Sequence, residues 1–380
     1  MDLVVVDQFT LPISWYVDPR MLELEQELIF GRTWIWVGRV DQVATPGAYF
    51  TSEIADEPIV VVRGTDGILR AFSNVCRHRA GPVAQGNGIL KRFQCAYHGW
   101  TYGLDGSLLG TPYFKGVEGF VREANCLPQF QVATWGPLVF VNLDPHAPSL
   151  EDTLGDLPKR FSRYQLEDLA FHSRLVLEAA CNWKLQADNS RECYHCATVH
   201  PSFRIAYRLE DVREETSNLW SLMYVPERCD VSAQDTDLEI PNTNTKIVDF
   251  YRQSHGGELT DEEKNGNYYV FMFPELVLGF QPDHVWARRL IPRGVDRVTI
   301  VRDYFIEKSL GPVAKAAFEK NAEFRLQVIK EDLAILEEVQ RNLHTRYFGR
   351  GPYSSKEQCV QHFHSLLRRF LDPKLSEHRS

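Results

Sequence analysis

Cys76 and His78 stand two residues apart, and after a gap of sixteen residues Cys95 and His98 stand three apart. Two thiolates and two imidazoles make four ligands presented by two tight loops. Such a set could close a tetrahedral zinc site. It could equally hold a [2Fe–2S] centre with two cysteines on one iron and two histidines on the other. Spacing alone leaves both open. In the iron–sulfur case, neutral imidazoles lower the negative charge of the site and raise its reduction potential. Such a centre takes up electrons and passes them on singly. It activates nothing by itself, so an electron acceptor is expected elsewhere in the chain.

The segment from Asn182-Trp183-Lys184 through Asp188, Asn189, Glu192 and His195 to His200-Pro201 offers one. Two histidines with one distant carboxylate make the facial triad that leaves positions open on Fe(II) for O2. On a regular helix, His195 and His200 would lie about 140° apart, so the helix is expected to loosen between them. Pro201 fits a helix end there. Glu192, three residues before His195, shares its helical face. The carboxylate is sought in a long C-terminal helical pattern, whose apolar stripe runs through Phe324, Val328, Ile329, Leu333, Ile335, Leu336, Val339 and Leu343. Asp332 falls near the middle of that stripe, where a lone carboxylate is costly unless paired or bound to metal. A buried salt bridge with an arginine is the alternative; two histidines in want of an acid favour metal ligation. Glu331 is expected to one side, in a solvent-facing row with Glu338.

Asn189 could position O2 or tune electron flow, and equally could cap or face the surface of its helix. Cys193 and Cys196 bracket His195 and read as ordinary packed thiols rather than a redox or zinc pair. Trp100 and Tyr102 are expected beside the first cluster, and Trp183 in the core. His146, His172, His255, His284, His344, His362, His364 and His378 have no motif around them and read as structural or exposed. Phe271, Phe273 and Phe280 are plausible walls for a pocket that takes a cation on aromatic faces, although such stripes more often belong to a core.

The chain that must position these groups has 380 residues, enough for two domains. At 44% hydrophobic and 12% aromatic it can build a sizeable core. Its net charge of −9, without long runs of one sign, argues against nucleic acid or an anionic membrane as partner. No apolar stretch reaches the length of a membrane span, and the first residues lack the basic start of a signal peptide. A cytoplasmic protein is expected, with its eight cysteines reduced or ligating. An amphipathic helix is predicted over about 18–33. Short β-type runs such as PIVVVRG and GPLVFVNL, broken by Gly, Asp and Asn, fill residues 38–145. Longer strands follow, then helical patterns over roughly 312–345 and 355–371. The expected class is α+β, with an antiparallel β domain at 38–145 inserted in a larger domain made of 1–37 and 146–380.

The flanks CRHRAGP and CAYHGWTYGLDGSL resemble the Rieske signature, and together with N-W-K through H-P and the tail EDLAILEEVQRNL the chain resembles the α subunits of Rieske non-haem iron oxygenases. The resemblance covers nearly the whole chain. It implies one Rieske [2Fe-2S] cluster on Cys76, His78, Cys95 and His98, and one mononuclear Fe(II) on His195, His200 and Asp332. It also implies a helix-grip catalytic domain, in which helices wrap an antiparallel sheet. Family members form head-to-tail homotrimers, with Glu192 then bridging His195 to His98 of the next chain. Glu192 is a departure, since ring-dihydroxylating members commonly carry Asp there. The text NSRECYHC looks more like the branch that oxidises glycine betaine, stachydrine and carnitine. The activity implied is hydroxylation of a small organic substrate with O2, ending in N-dealkylation of a quaternary ammonium or other N-alkyl compound. Aromatic ring cis-dihydroxylation is the alternative, and a Rieske electron carrier without oxygenase activity is the rival of another class. No G-x-G-x-x-G fingerprint occurs, so electrons are expected from a separate NAD(P)H-dependent reductase, with or without a ferredoxin.

Overall fold

The structure, a computed structural model, describes residues 8–228, 259–308, 315–316, 318–319 and 322–377. It divides into two compact units, Gln26–Gly155 and a larger one made of Met1–Glu25 with Asp156–Ser380. His255 and His378, with part of the 312–345 helical pattern, lie outside the described residues.

The smaller unit is built on an antiparallel sheet. Its strands are β1 (Ile35–Arg39), β2 (Ala48–Ile54), β3 (Glu57–Arg63), β4 (Leu69–Ser73), β5 (Asn87–Ile89), β9 (Gln129–Trp135) and β10 (Leu138–Asn142), in the spatial order β1-β10-β9-β4-β3-β2-β5. Three short strands, β6 (Phe93–Gln94), β7 (Thr101–Tyr102) and β8 (Leu108–Gly110), form a separate small sheet. The run Ile59-Val60-Val61-Val62 explains β3: branched side chains suit a pleated strand, and all four are fully buried.

The larger unit holds a second seven-stranded antiparallel sheet. Its strands are β11 (Leu169–Ala179), β12 (Arg213–Thr216), β13 (Trp220–Pro226), β14 (Gly266–Met272), β15 (Leu276–Phe280), β16 (Val285–Pro292) and β17 (Val298–Glu307), in the order β11-β17-β16-β15-β14-β13-β12. The helix Trp183–Ser190 packs on β16, and Gln358–Glu377 packs on β12 and β13. Ala322–Asn342 then packs on Trp183–Ser190 and on the short helix Cys196–Val199. The fold is α+β, with antiparallel sheets in both units and helices packed on the sheet of the larger one.

Asn182-Trp183-Lys184 anchors this arrangement. The Asn182 carbonyl oxygen of its side chain accepts from Lys184 N at 2.9 Å and caps the helix, while its amide donates to Tyr16 O and Val295 O. Trp183 Nε1 and Lys184 Nζ both donate to the buried Glu25, at 2.7 and 2.6 Å. Breaking one partner of such a buried pair is strongly destabilising.

The first predicted helix is divided in the structure. It appears as Ser14–Val17 and Pro19–Glu25, followed by a wider π-helical turn, Gln26–Phe30. Asp18 accepts from Arg20 N, and Pro19 opens the second helix, where its missing N–H costs nothing. The last helix runs past Pro373 to Glu377, several residues beyond the predicted end.

Candidate functional site

The two cysteine loops share one design. Cys76 N donates to Gly81 O and Ala80 N to Cys76 O; likewise Cys95 N donates to Trp100 O and Gly99 N to Cys95 O. Four residues after each cysteine the backbone turns left-handed, at Ala80 (φ 57°) and Gly99 (φ 73°). Gly81 lets the loops approach, since a Cβ there would lie 2.9 Å from Cys95 Sγ. Both thiols are buried, and the rings of His78 and His98 meet edge to face with centroids 4.6 Å apart. The Nδ1 of His78 is buried without a hydrogen-bond partner among the described residues, and partial burial holds the ring below the ordinary histidine pKa. A neutral ring with an unpaired nitrogen beside two thiols is the donor set that a two-cysteine, two-histidine cluster needs. Trp100 stacks on His78 at 4.9 Å, as expected of a packing residue. Tyr102 does more than pack: its hydroxyl lies 3.2 Å from Cys76 Sγ and accepts from Arg77 N. Burial, then the Cys76 contact, raises the Tyr102 pKa well above its usual value.

In the larger unit the helix does loosen. Trp183–Ser190 ends before the segment that carries Glu192 and His195, Cys196–Val199 forms a single turn, and Pro201 opens the next helix at His200's carboxyl side. This brings the two rings to the same side, with centroids 5.3 Å apart. Asp332 reaches them from Ala322–Asn342: Oδ1 is 3.4 Å from His195 Nε2 and 3.0 Å from His200 Nε2. One donor atom from each of the three lies within 4.8 Å of the others. Burial opposes protonation of His195, but bonds to Asp332 and Glu192 outweigh it and raise its pKa to about 9. Burial likewise pushes Asp332 up, yet the two histidines hold it well below the usual carboxylate range. Electrostatically, the trio favours a cationic charge at its centre, as a metal dication would supply.

The outer nitrogens are also taken. His195 Nδ1 lies 2.5 Å from Glu192 Oε1, and His200 Nδ1 lies 2.8 Å from Glu331 Oε2. A carboxylate on Nδ1 fixes the tautomer that offers Nε2 to a metal. Glu192 also accepts from the backbone N–H of Tyr194 and His195. Glu331 departs from the sequence expectation of a solvent-facing row. Its neighbour Asp332 faces the Nε2 side of His200, and the imidazole is wide enough for the adjacent residue to reach Nδ1. The buried residues of that helix are Ile329, Leu336 and Gln340, with Asp332 in step and the buried Leu343 just past its end; Ile335, expected in the stripe, is 42% exposed.

Asn189 is neither a cap nor a surface residue: its Nδ2 lies 3.3 Å from both His195 Nε2 and Asp332 Oδ1. Asp188 beside it heads a buried network that sequence reading missed. It accepts from Tyr16 Oη at 2.7 Å and meets His364 Nε2 at 2.9 Å, and His364 Nδ1 meets Tyr353 Oη at 2.7 Å. His364 has no local motif, so only the fold reveals it. Cys193 and Cys196 are joined by a disulfide, not left as free thiols. Because the chain leaves helical geometry at this point, a turn bond from Cys196 N to Cys193 O brings them together. Among the proposed walls, Phe271 faces the same side of the sheet as Trp286 and Cys193. Phe280 stacks on Phe161 on the opposite face, and Phe273 stacks on Phe370 of the last helix, so both are core.

A family model described as the ring hydroxylating alpha subunit (catalytic domain) matches residues 166–373, and one described as the Rieske [2Fe-2S] domain matches residues 33–129. The carnitine monooxygenase oxygenase subunit of Acinetobacter pittii (strain PHEA-2) is 30% identical over 357 residues, covering 92% of this chain and 90% of that protein. The glycine betaine monooxygenase oxygenase subunit of Chromohalobacter salexigens is 28% identical over 373 residues, covering 91% of this chain and 82% of its own. The crystal structure of the quaternary ammonium Rieske monooxygenase CntA with L-carnitine matches with a TM-score of 0.78 at 27% identity, covering 95% of each chain.

Proposed function

Since the chain belongs to the Rieske-type ring-hydroxylating oxygenases, as their α subunit with a [2Fe-2S] cluster and a mononuclear iron, we propose that it hydroxylates an N-alkyl carbon of a quaternary ammonium compound. The observation that carries the oxygenase site is the convergence of His195 Nε2, His200 Nε2 and Asp332 Oδ1. We assign these three to the iron, and Cys76, His78, Cys95 and His98 to the cluster. Bound there, the iron supplies open positions at which O2 is activated.

The chain's own residues set the conditions for that chemistry. Glu192 and Glu331 hold the two imidazoles in one tautomer. Asn189 restrains His195 and Asp332 from the side. His98 is exposed at the surface of its unit and Glu192 lies beside His195, which supports an electron path from one chain's His98 through a neighbour's Glu192. A solved CntA structure is described as revealing inter-subunit electron transfer in that relative. We therefore read a homotrimer served by a separate NAD(P)H-dependent reductase, with or without a ferredoxin, in the cytoplasm. No helix among the described residues is long and apolar enough to cross a membrane.

The reaction consumes O2, two electrons and two protons. One oxygen atom enters a C–H bond of an N-methyl group and the other leaves as water. The resulting N-hydroxymethyl compound loses formaldehyde and a proton, leaving the dealkylated amine. The relatives named as carnitine and glycine betaine monooxygenases support this substrate class. The test is a panel of N-methylated ammonium compounds and aromatic hydrocarbons, supplied with reductase, with formaldehyde and cis-diols both assayed. Formaldehyde from the ammonium compounds alone is expected; cis-diol from the hydrocarbons alone would replace this reading with ring dihydroxylation.

A further inference from the structure

Arg288 and Arg302 are register partners across β16 and β17, so they leave the sheet on the same face. That face also carries Trp286, Tyr304 and Phe271 and meets Cys193 from the His195 segment. Arg288 is only 6% exposed. Its Nη2 donates to Ser190 Oγ at 2.7 Å, but its Nε is buried without a partner among the described residues, and so is Arg302 Nε. Neither makes an ion pair among the described residues. The contrast with the other face is plain: there Arg174 pairs with the fully buried Asp303 at 2.6 Å, and Arg289 lies 3.6 Å from Glu275.

The Arg302 guanidinium lies 4.1 Å from the centroid of the Trp286 ring. That ring lies across β15 at Gly279, where any Cβ would come within 2.1 Å of the indole. Ser190, which holds Arg288, is next to Asn189, whose side chain touches His195 and Asp332. Burial, then repulsion from Arg302 and Arg191, pulls the Arg288 pKa down to about 9, while Asp332 and Glu275 act the other way. Two guanidiniums without carboxylate partners, beside a site that holds a metal cation, are costly unless an anion joins them.

We propose that Arg288 and Arg302 form a carboxylate subsite, so that the substrate is a zwitterion: an N-methylated ammonium group carried on a carboxylate. A guanidinium matches a carboxylate with paired N–H donors. Anchored there, the carboxylate leaves the N-methyl end free to lie at the triad. The zwitterion, rather than a carboxylate alone, rests on the function proposed above.

The test is anaerobic calorimetry on the iron-loaded protein with matched probes: a trimethylammonium carboxylate and its methyl ester, then an aromatic carboxylate and its methyl ester. The acid of a binding pair is expected to bind at least about tenfold more tightly than its ester, the range of a charged hydrogen bond. R302M and R288M should each shrink that ratio towards one, with iron content and circular dichroism confirming the fold. Arg302 is only partly buried, so its variant serves if R288M does not fold. Equal binding of acid and ester in the unmodified protein overturns the proposal, as does an acid preference that survives in R302M. If only the aromatic pair binds, with its acid favoured and that preference lost in R302M, the subsite stands and the N-alkyl reading falls.

Discussion

Glu192 and Glu331 stand behind His195 and His200 in matching positions, each with a carboxylate oxygen on a ring Nδ1, at 2.5 and 2.8 Å. The two acids come from different elements, one from the same turn as its histidine and one from the distant helix that also carries Asp332. The match orients both Nε2 atoms towards a single carboxylate oxygen.

E331Q keeps an acceptor for His200 Nδ1 but removes its charge. It should lower iron affinity by about 10- to 100-fold and leave the visible spectrum of the [2Fe-2S] cluster intact. Mononuclear iron retained after dialysis against graded chelator measures this. E338Q, on the same helix but exposed and paired with Arg341, should match the unmodified protein.

Glu192 serves His195 within its own chain and, in the trimer we propose, His98 of a neighbour. E192Q should therefore leave chemical reduction of the cluster unchanged while slowing cluster reoxidation in the presence of substrate and O2 by about 10- to 100-fold, the range for lost carboxylate support of a ligand histidine. Stopped-flow absorbance separates the two steps. Normal reoxidation would remove Glu192 from the electron path.

Tyr102 Oη lies 3.2 Å from Cys76 Sγ, and towards a cluster-bound thiolate, which has no proton to give, the hydroxyl is the donor. Hydrogen bonds to cluster sulfurs raise the reduction potential. Y102F should lower it by about 60 mV, if the bond favours the reduced state by roughly 1.4 kcal/mol. A spectroelectrochemical titration reads this directly, and an unchanged potential would make Tyr102 a packing residue only.

Glu214 on β12 accepts from Gln358 N at 2.8 Å, at the start of the last helix. Burial, reinforced by Glu192 and Glu357, raises its pKa from 4.5 to about 7. Below pH 4.5 both folded and unfolded chains hold the proton. Between that value and about 7 only the folded chain holds it, so this contribution to stability is lost as pH rises through the folded value. The effect is on the order of 1 kcal/mol after solvent screening. E214Q should melt higher than the parent at pH 8 and equal to it near pH 4 (about one unit or less from each flat limit of the linkage curve).

Much of the site is legible in the sequence because local spacing encodes it. Cys76 to His98 forms two copies of one tight loop, and the loosened segment from Glu192 to His200 follows from the angle that a regular helix would impose. Asp332 is readable because a charged residue interrupts an apolar stripe. Glu331, Asp188, His364 and the Arg288–Arg302 pair are not readable this way. Each acquires its meaning from a partner far along the chain, and nothing in its neighbours distinguishes it from a surface or core residue. The same limit left Phe273 and Phe280 open between pocket wall and core, since strand parity tells which residues share a face but not which face meets the iron ligands. The Cys193–Cys196 bridge arises where the chain leaves helical geometry, which spacing alone treats as one more turn of helix.

The most direct test is a single turnover. The protein, loaded with both metal centres, is reduced chemically without oxygen, mixed with a trimethylammonium carboxylate, and exposed to 18O-labelled O2. The account predicts formaldehyde and dealkylated amine in step with cluster reoxidation, with label in formaldehyde trapped before it exchanges with water. Cluster reoxidation with the ammonium compound recovered whole would contradict it.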